Sequence, residues 1–452
     1  MIQRQKAVPT AQRRQTPRQN ALARQYTLAL YISMLCFFTY ALTENTGVSL
    51  KIPHRALLAL VGGGFCTCFL LMNRRDVRKR LSKSAFSYVL MAFAGFCALT
   101  AVSALVTKSP LLPVNTVTYT LLLQLYLLEG ICLVVYATVT GKTKEIFDCC
   151  FYCMLVFVLA NDALMFSGLR RFSDGQFETY LLGTKFDVVY MHMNLMALFF
   201  TRMKLRRPGK KNARLPVVML LAFLLLNVTI SLRLDCSTGL IGSVATVLLI
   251  YFFDGREKLC RKILCAPKAF ITVCTVSMLF ASYVFWLVKQ PIVRHIVVDW
   301  LGKSLTLTGR TEIYAMYPHV MSGHWIWGFG LGNAYAVCSR AFGYADVQNA
   351  LLQWVLEVGV PSAVMLVVFF CTIIALCKRT RRVAVVIPVL ALEYVYLLLG
   401  AVEITMNRCF IMLMIVLMLL AGSDQLPNKR LGVAGSELET RRGGAAGEED
   451  EN

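Results

Sequence analysis

The sequence is poor in the residues and motifs that soluble enzymes most often use for catalysis. It has only 5 histidines in 452 residues, and 25 acidic residues stand against 47 basic ones. Outside its acidic C-terminal tail it has no Asp-x-Asp metal motif, no His-Glu-x-x-His helix and no nucleophile elbow. These absences argue against a nucleotide-sugar transferase and against a hydrolase.

A metal or disulfide framework is also missing, although the chain has 16 cysteines. Most of them lie in apolar stretches, where a thiol behaves as a small apolar group. Cys150 and Cys153 have neither the second pair nor the histidines that a zinc site needs. The segment 290–350 contains Cys338 alone, so it cannot form an internal disulfide. We therefore expect no metal and no cofactor.

The two ends of the chain lack the apolar character of the rest. Residues 1–25 are polar and basic and have no apolar core followed by a cleavage site, so we expect no signal peptide there. We predict a disordered basic cytoplasmic arm at 1–25. Residues 423–452 are glycine-rich and end in acidic residues, and we predict a disordered cytoplasmic tail.

Between these ends the chain is strongly apolar, and 57% of all residues are hydrophobic. Apolar windows of about 17–25 residues bounded by charge are typical of transmembrane helices. The fold class predicted is therefore an all-α polytopic integral membrane protein with about twelve transmembrane helices. Helices 1–9 fall in 26–289 and helices 10–12 in 351–422. The predicted centres are residues 35, 64, 96, 128, 158, 193, 224, 245, 279, 363, 393 and 414.

The net charge of +22 is distributed as a topology signal. Lysine and arginine concentrate in the terminal segments and in alternate loops, and positive charge resists translocation. The basic loops at 74–83, 202–214, 256–268 and 378–382, together with both termini, are therefore predicted to be cytoplasmic. The same charge favours contact with anionic lipid of the bilayer. Nucleic acid is not an expected partner.

The segment 290–350 is polar and aromatic, and the topology places it outside as one long extracytoplasmic loop. A polytopic membrane enzyme keeps its chemistry in such a loop. Arginines stand beside carboxylates or hydroxyls at three external places, where they predict either interfacial anchors or an anion clamp, because a guanidinium fork matches phosphate. These places are Arg310 with Glu312; Arg233 with Asp235, Ser237 and Thr238; and Arg170 and Arg171 with Asp174 and Glu178.

A glycine run at 328–332 lies in the same loop, and it lacks the strand–turn–helix setting of a dinucleotide site. We interpret it as a tight turn that positions Trp325, Trp327 and Phe329. Such aromatic side chains either belong to the interfacial belt or stack on sugar rings. Trp327 is our candidate for contact with a glycan.

Three stretches of this region resemble the signature block of the O-antigen ligase and O-antigen (Wzy-type) polysaccharide polymerase family. They are Gly-Arg-Thr-Glu-Ile-Tyr at 309–314, Trp-Gly-Phe-Gly-Leu-Gly-Asn at 327–333, and Gln-Asn-Ala-Leu-Leu-Gln at 348–353 continued by Leu-Glu-Val-Gly-Val at 356–360. The block spans 309–360. Two weaker stretches, at 182–186 and 231–239, resemble family helix starts in the same order.

The resemblance implies a C-type glycosyltransferase-like fold that works without metal. It implies an undecaprenyl-diphosphate-linked oligosaccharide as donor, used at the outer face of the bacterial cytoplasmic membrane. It also implies flippase and chain-length regulator proteins as partners. Family arginines hold the diphosphate, so the resemblance assigns this role to Arg310 and, as a second candidate, Arg233. It places Asn349 among the substrate-binding residues.

The chain departs from the family at Gln348, where ligases have histidine. Glutamine can orient a hydroxyl group but cannot accept its proton at neutral pH. Either another residue is the base, with Asp346 the first candidate and Glu312 the second, or positioning and electrostatics carry the reaction. An alternative interpretation makes Asp346 only the cap of the helix that begins near Asn349.

Three functions remain open from the sequence. The main hypothesis is a polymerase that moves a growing glycan from its lipid carrier onto a lipid-linked repeat unit, producing capsule, exopolysaccharide or O-antigen. The alternative is an O-antigen ligase-type enzyme that delivers the glycan to lipid, wall polymer or protein. A polysaccharide transporter or flippase is the third, although such proteins usually have two related halves, which this sequence lacks.

Overall fold

The computed structural model describes residues 17–42, 52–72, 85–107, 114–168, 172–173, 178–206, 215–287, 289–300 and 309–422. These residues are almost entirely helical. A single two-stranded antiparallel pairing, β1 (Phe172–Ser173) with β2 (Glu178–Thr179), is the sheet structure among them. The helices are α1 (Pro17–Leu42), α2 (Ile52–Met72), α3 (Phe86–Val106), α4 (Thr116–Thr140), α5 (Thr143–Phe166), α6 (Lys185–Arg206), α7 (Val217–Arg233), α8 (Ser237–Phe253), α9 (Glu257–Lys262), α10 (Pro267–Leu287), α11 (Pro291–Arg294) with a π-helical turn at His295–Trp300, α12 (Arg310–Val320), α13 (Ala334–Ala341), α14 (Ala350–Arg379), α15 (Val383–Leu399) and α16 (Arg408–Gly422).

All twelve predicted span centres lie inside helices of this set. Within the described residues, five helices (α3, α4, α5, α10 and α14) are long and apolar enough to cross a membrane, and five others are shorter apolar helices. The chain is therefore an all-α membrane protein, while the number of spans stays a prediction. Helix α1 begins at Pro17, so the last part of the arm predicted at 1–25 is helical; residues 1–16 and 423–452 lie outside the described residues.

The centre of the bundle is formed by α4, α15 and α16. Nearly every residue of α15 and α16 is buried, whereas α3, α5 and α10 bury only one face. A helix that is apolar on all sides belongs in the interior of a bundle, and one with an apolar exposed face belongs against lipid. The exposed face of α3 carries Tyr88, Met91 and Leu105, which fits a lipid-facing position.

Three of the predicted basic loops meet at one end of the bundle, here called the basic end. The Lys204 ammonium pairs with the Asp254 carboxylate, and Arg202 and Arg206 both pair with Asp148. Arg261 donates to the backbone carbonyls of Lys378 and Arg381. The loops that we predicted on one side of the membrane are thus neighbours in the fold. Loop 73–84 lies outside the described residues.

Within the described parts of the segment 290–350, residues 290–300 and 309–350, the helices α11, α12 and α13 are present, so these parts are not an extended loop. Its glycine run folds back onto α14, which is broken at Gly359 (φ 76°, ψ 167°). The amides of Phe329 and Gly330 donate to the carbonyls of Leu356 and Glu357, at 2.8 Å each. The amide of Val360 donates in turn to the Trp325 carbonyl at 2.8 Å. Segment 325–330 thus satisfies backbone groups that the helix break would leave without partners.

Glycine is required where these two backbones cross. A Cβ on Gly359 would lie 2.0 Å from the Ile326 carbonyl oxygen, and one on Gly328 would lie 2.7 Å from the Leu356 carbonyl oxygen. Both obstacles are main-chain atoms, which cannot move aside as the end of a side chain can. The Gly-x-Gly run and the later Glu-x-Gly of the motif block are therefore one structural device, separated in sequence and joined in space.

We predict that Gly359→Ala destabilises the protein more than Gly343→Ala. Both glycines have a positive φ (76° and 74°), which an L-residue rarely adopts, and Gly359, with ψ 167°, lies in a region that is essentially restricted to glycine. Only Gly359 also meets backbone, since nothing lies within 4 Å of a Cβ on Gly343. Thermal unfolding of the purified proteins in detergent measures the difference. Equal losses of Tm would contradict the close crossing of the two segments.

Candidate functional site

The end of the bundle opposite the basic end is organised around the turn 400–405 between α15 and α16. The first amide of α14, at Ala350, donates to the Gly400 carbonyl at 2.8 Å. The Tyr314 hydroxyl donates to the Ala401 carbonyl at 3.1 Å, and the Arg310 Nε donates to the Val402 carbonyl at 2.8 Å. Helices α12 and α14, which carry two of the three motif stretches, are thereby held to the last helical hairpin.

Arg310 forms an ion pair with Glu403 inside this turn. Nη2 of Arg310 lies 2.7 Å from Oε1 of Glu403, and the side chains are only 13% and 10% exposed. Arg310 starts α12 directly after Gly309, whose left-handed φ of 87° and close approach to the Tyr344 hydroxyl leave no room for a side chain. A charge so poorly solvated needs a partner, and here the partner is a carboxylate supplied from far along the chain.

The environment of Glu403 leaves this carboxyl half-titrated near neutral pH. The pKa of Glu403 is raised to about 7, chiefly by burial and also by the negative charge of Asp346. The positive charges of Arg310 and Lys185 act in the opposite direction. Glu403 can therefore accept or release a proton at physiological pH, which is the property that a general base needs.

Asp346 and Gln348 form a second unit beside the ion pair. The backbone N–H and the side-chain amide of Gln348 both donate to Oδ1 of Asp346, at 2.8 Å each. The carbonyl of Gln348 accepts from the Tyr314 hydroxyl at 2.7 Å. Burial raises the pKa of Asp346, and the hydrogen bonds from Gln348 and the charge of Arg310 only partly offset this effect. The two hydrogen bonds to Asp346 and the one from Tyr314 hold Gln348 in a left-handed conformation (φ 56°) that non-glycine residues rarely adopt.

Asn349, rather than Asp346, caps helix α14. Its Oδ1 accepts from the amides of Leu351 and Leu352, at 3.1 and 3.0 Å. Its Nδ2 donates to the carbonyls of Ser277 and Ala401. The interpretation of Asp346 as the cap is therefore wrong. Because Asn349 is fully buried and all its hydrogen-bonding positions are used, a direct contact with substrate would require one of these bonds to break.

Arg233 is not among the charges that shift the pKa of Glu403. Its side chain is exposed, and its guanidinium stacks over the Phe166 ring at 5.3 Å. The second cation whose charge acts on Glu403 is Lys185 at the start of α6. Lys185 Nζ donates to the Asp235 carbonyl at 2.9 Å, which ties α6 to the turn between α7 and α8. The stretches at 182–186 and 231–239 thus meet, through Lys185 and not through Arg233.

Glu312 and Trp327 each contact residues other than the Arg310–Glu403 pair. Glu312 is exposed, and its nearest polar partner is the Tyr344 hydroxyl at 3.5 Å. Trp327 is half-buried, and its carbonyl accepts from the Ser103 hydroxyl at 2.6 Å. Trp325 packs edge-on against Tyr317. Arg170, Arg171 and Asp174, together with the side chain of Glu178, lie outside the described residues.

Sequence reasoning missed Glu403 and Lys185 as site residues. Glu403 was visible only as an acid in the short external turn before the last span, and Lys185 only as part of a weak motif stretch. Neither has a local pattern that pairs it with Arg310. Within the described residues, no group of three or more histidine, cysteine, aspartate or glutamate side chains could hold a metal ion.

Comparison of the chain with protein-family models and with curated proteins gives no match. The resemblance to the O-antigen ligase and polymerase family therefore rests on the motif residues themselves. What the structure adds is that most of these residues gather at one end of the bundle.

We predict that Arg310→Gln raises the pKa of Glu403 above about 7, because it removes the positive charge that stabilises the carboxylate. An infrared pH titration of the protonated carboxyl band, assigned by its loss in Glu403→Gln, measures the shift. Arg233→Gln is the matched control and should leave the titration unchanged. A Glu403 band that responds equally to both substitutions would contradict the arrangement.

Proposed function

We propose that this chain is a membrane glycosyltransferase that polymerises undecaprenyl-diphosphate-linked oligosaccharide repeat units into a surface polysaccharide. It works at the outer face of the bacterial cytoplasmic membrane with both termini inside. The observation that carries the proposal is the buried Arg310–Glu403 pair beside Lys185, at the end of the bundle away from the basic loops. Together with the motif block, this pair supports an anion site for a diphosphate.

Donor binding exchanges one anion for another at Arg310. The diphosphate takes the guanidinium fork bidentately, and Glu403 gives up its place on the cation. Lys185 contributes a second positive charge, as a point charge and not as a fork. The negative charge of the donor then offsets the two cations that hold the Glu403 pKa down, so Glu403 becomes a stronger base as the donor arrives.

Transfer requires one bond to form and one to break. An acceptor hydroxyl oxygen attacks the anomeric carbon of the donor sugar, and the bond from that carbon to the phosphate oxygen breaks. Undecaprenyl diphosphate leaves with its negative charge held by Arg310 and Lys185. Glu403 accepts the hydroxyl proton. A diphosphate is already a good leaving group once its charge is offset, so electrostatic stabilisation carries much of the rate.

Asp346 and Gln348 have a positioning role in this mechanism. Asp346 already accepts two hydrogen bonds from Gln348, which fixes the glutamine beside Tyr314. The amide oxygen of Gln348 remains to accept a hydrogen bond from a sugar hydroxyl. Glutamine in place of the histidine of family ligases is consistent with a site whose base lies elsewhere. The half-buried Trp327 stacks on a sugar ring.

We predict that Arg310→Ala lowers glycan extension by at least about 100-fold, the order seen when a transition-state charge loses its partner. Arg310→Lys should recover part of the activity, because lysine keeps the charge and loses the fork. Arg233→Ala, on an exposed arginine stacked over Phe166, serves as the control and should extend glycans normally. Polymer length on gels, at matched protein levels in the membrane, is the measurement. Normal polymer from Arg310→Ala would refute the proposed function.

The pH profile identifies the base. Since deprotonated Glu403 is the active form, kcat/KM should rise as pH increases through about 7 and then level off. Glu403→Gln should lose about 100- to 10,000-fold in rate and lose this rise. Asp346→Asn should be slower than the natural protein, because it disturbs the position of Gln348. It should keep the rise but move it to lower pH, because it also removes a negative charge that raises the pKa of Glu403. The reverse result, with the rise lost in Asp346→Asn alone, would make Asp346 the base.

A further inference from the structure

Glu129 places a carboxyl group in the middle of an apolar helix, far from any residue used in the proposed mechanism. It is the fourteenth of the 25 residues of α4, one of the five helices long and apolar enough to cross a membrane. At a rise of about 1.5 Å per residue it lies roughly 20 Å from Thr116, near the middle of a hydrocarbon core about 30 Å thick. Its side chain is fully buried. An ionisable group at this depth is costly to keep and points to a function.

A notch in α2 receives this carboxyl. A Cβ on Gly62 would lie 1.6 Å from Oε1 of Glu129, so the carboxyl occupies the space that a side chain at Gly62 would fill. A Cβ on Gly63 would lie 3.7 Å from the Cβ of Glu129. One turn further along both helices, the Thr67 hydroxyl lies 3.9 Å from Sγ of Cys132. This face of α2 therefore runs along the Glu129 face of α4, and we call Gly62 and Gly63 the glycine notch.

Glu129 has no counter-charge among the described residues. Neither of its carboxyl oxygens has a hydrogen-bond partner there. The titratable groups on which its charge would act are the thiols of Cys36 in α1 and Cys132 in α4. On the other helices packed against α4, namely α2, α3, α5 and α16, no described charged side chain acts on Glu129. A carboxylate in such a place is costly, and taking up a proton removes the cost. The ligand of this site is therefore a proton.

Helix α2 forms the thin side of the site. Gly62, Gly63 and Gly64 are consecutive, and glycine is, after proline, the residue that least favours a helix interior. Gly62 is required by the close contact, whereas nothing lies within 4 Å of a Cβ on the exposed Gly64. The neighbouring Leu60 and Val61 are exposed apolar side chains, as expected of a surface against lipid. On this side the cover described over the carboxyl is glycine backbone, so a small bend of α2 is enough to open it.

We propose that Glu129 is an exchangeable proton site in the middle of the membrane, opened by bending of α2 at Gly62–Gly64, and hence a modification site for hydrophobic carbodiimides. The carboxylic acid oxygen bonds to the central carbon of the carbodiimide, and the acid proton goes to one nitrogen. The acyl group then migrates to the other nitrogen, which gives a stable N-acylurea that retains the whole reagent. The inference uses neither Arg310 nor Glu403, so it does not depend on the proposed function.

The test treats the full-length natural protein in lipid vesicles with dicyclohexylcarbodiimide at neutral pH. Peptide mass spectrometry should find Glu129 modified by the mass of the whole reagent, and a charged, water-soluble carbodiimide should leave it unmodified. The exposed Glu145 is the control for an ionised carboxyl and should not react with the hydrophobic reagent. Glu393, also fully buried and also without a hydrogen-bond partner among the described residues, is the control for burial in the central helix α15. It should not react either.

Two results would overturn the exchangeable site. An unmodified Glu129 would mean that the carboxyl is a static part of the core. Equal modification of Glu129 and Glu393 would mean that the bundle opens as a whole, without a particular role for α2. Infrared spectroscopy tests the proton itself: a protonated carboxyl band should be lost in Glu129→Gln, and an unchanged spectrum would refute the neutral acid.

Variants of the glycines test the notch and the bend separately. Gly62→Ala should lower the Tm of the natural protein and should have little effect in Glu129→Ala, where the new methyl group enters the space left by the carboxyl. Equal losses of Tm in both backgrounds would contradict the contact. Gly64→Ala is the matched control, which should not lower the Tm but should slow modification of Glu129 about fivefold, because alanine stiffens the helix. An unchanged rate in Gly64→Ala would overturn the bend as the route of access.

Discussion

A guanidinium group that is nearly removed from water must have a counter-charge, and Glu403 supplies it to Arg310. The rest of the site depends on this pair. The turn that carries Glu403 also receives the first amide of α14 and the hydroxyl of Tyr314, so the ion pair and two helix starts share one short piece of backbone. Burying the pair costs free energy, because both charges lose water. For the same reason the poorly hydrated Arg310 cation is a site that another anion can enter by displacing Glu403. In this view Glu403 holds the place of the substrate phosphate until the substrate arrives.

The backbone crossing at Gly359 gives this site a rigid frame. Helix α14 is interrupted there, and the carbonyls and amide freed by the break bind segment 325–330. One end of α14 is thus fixed twice, by the cap at Asn349 and by the turn at its break. Groups that stabilise a transition state must be held in place before the reaction, because reorganisation at that moment would cost rate. Under the proposed function, the glycines of the motif block contribute to this preorganisation through their lack of a side chain, without touching phosphate themselves.

How much of the fold and of the candidate site could be predicted from the sequence depends on how far apart in the chain the residues that form each feature lie. Hydropathy is a local property, and every predicted span centre lies in a helix. The importance of the 290–350 region was visible because its composition changes over a few residues. The pairing of Arg310 with Glu403 joins residues 93 positions apart, and no local pattern reports such a contact. For Arg233, the neighbours Asp235 and Thr238 suggested a clamp; in the fold its exposed guanidinium stacks on Phe166, and its binding role stays a prediction. Asn349 was predicted to bind substrate from its place in the sequence motif. In the fold its side-chain oxygen caps α14 and its side-chain nitrogen donates to two carbonyls.

At position 348 the family resemblance leads one to expect a histidine that accepts a proton, whereas the glutamine present cannot accept one. The geometry of the site accounts for this difference. A histidine in a left-handed turn could take a proton and also orient a sugar hydroxyl. Gln348 retains the turn through its two hydrogen bonds to Asp346, and it retains one amide oxygen for orientation. What it cannot retain is the proton acceptor. Glu403, a buried carboxyl with a pKa of about 7, lies beside Arg310. Under the proposed function, a base is therefore available without any change in the position of the diphosphate. Under the proposed function, the two duties that one histidine can perform are divided in this chain between Gln348 and Glu403.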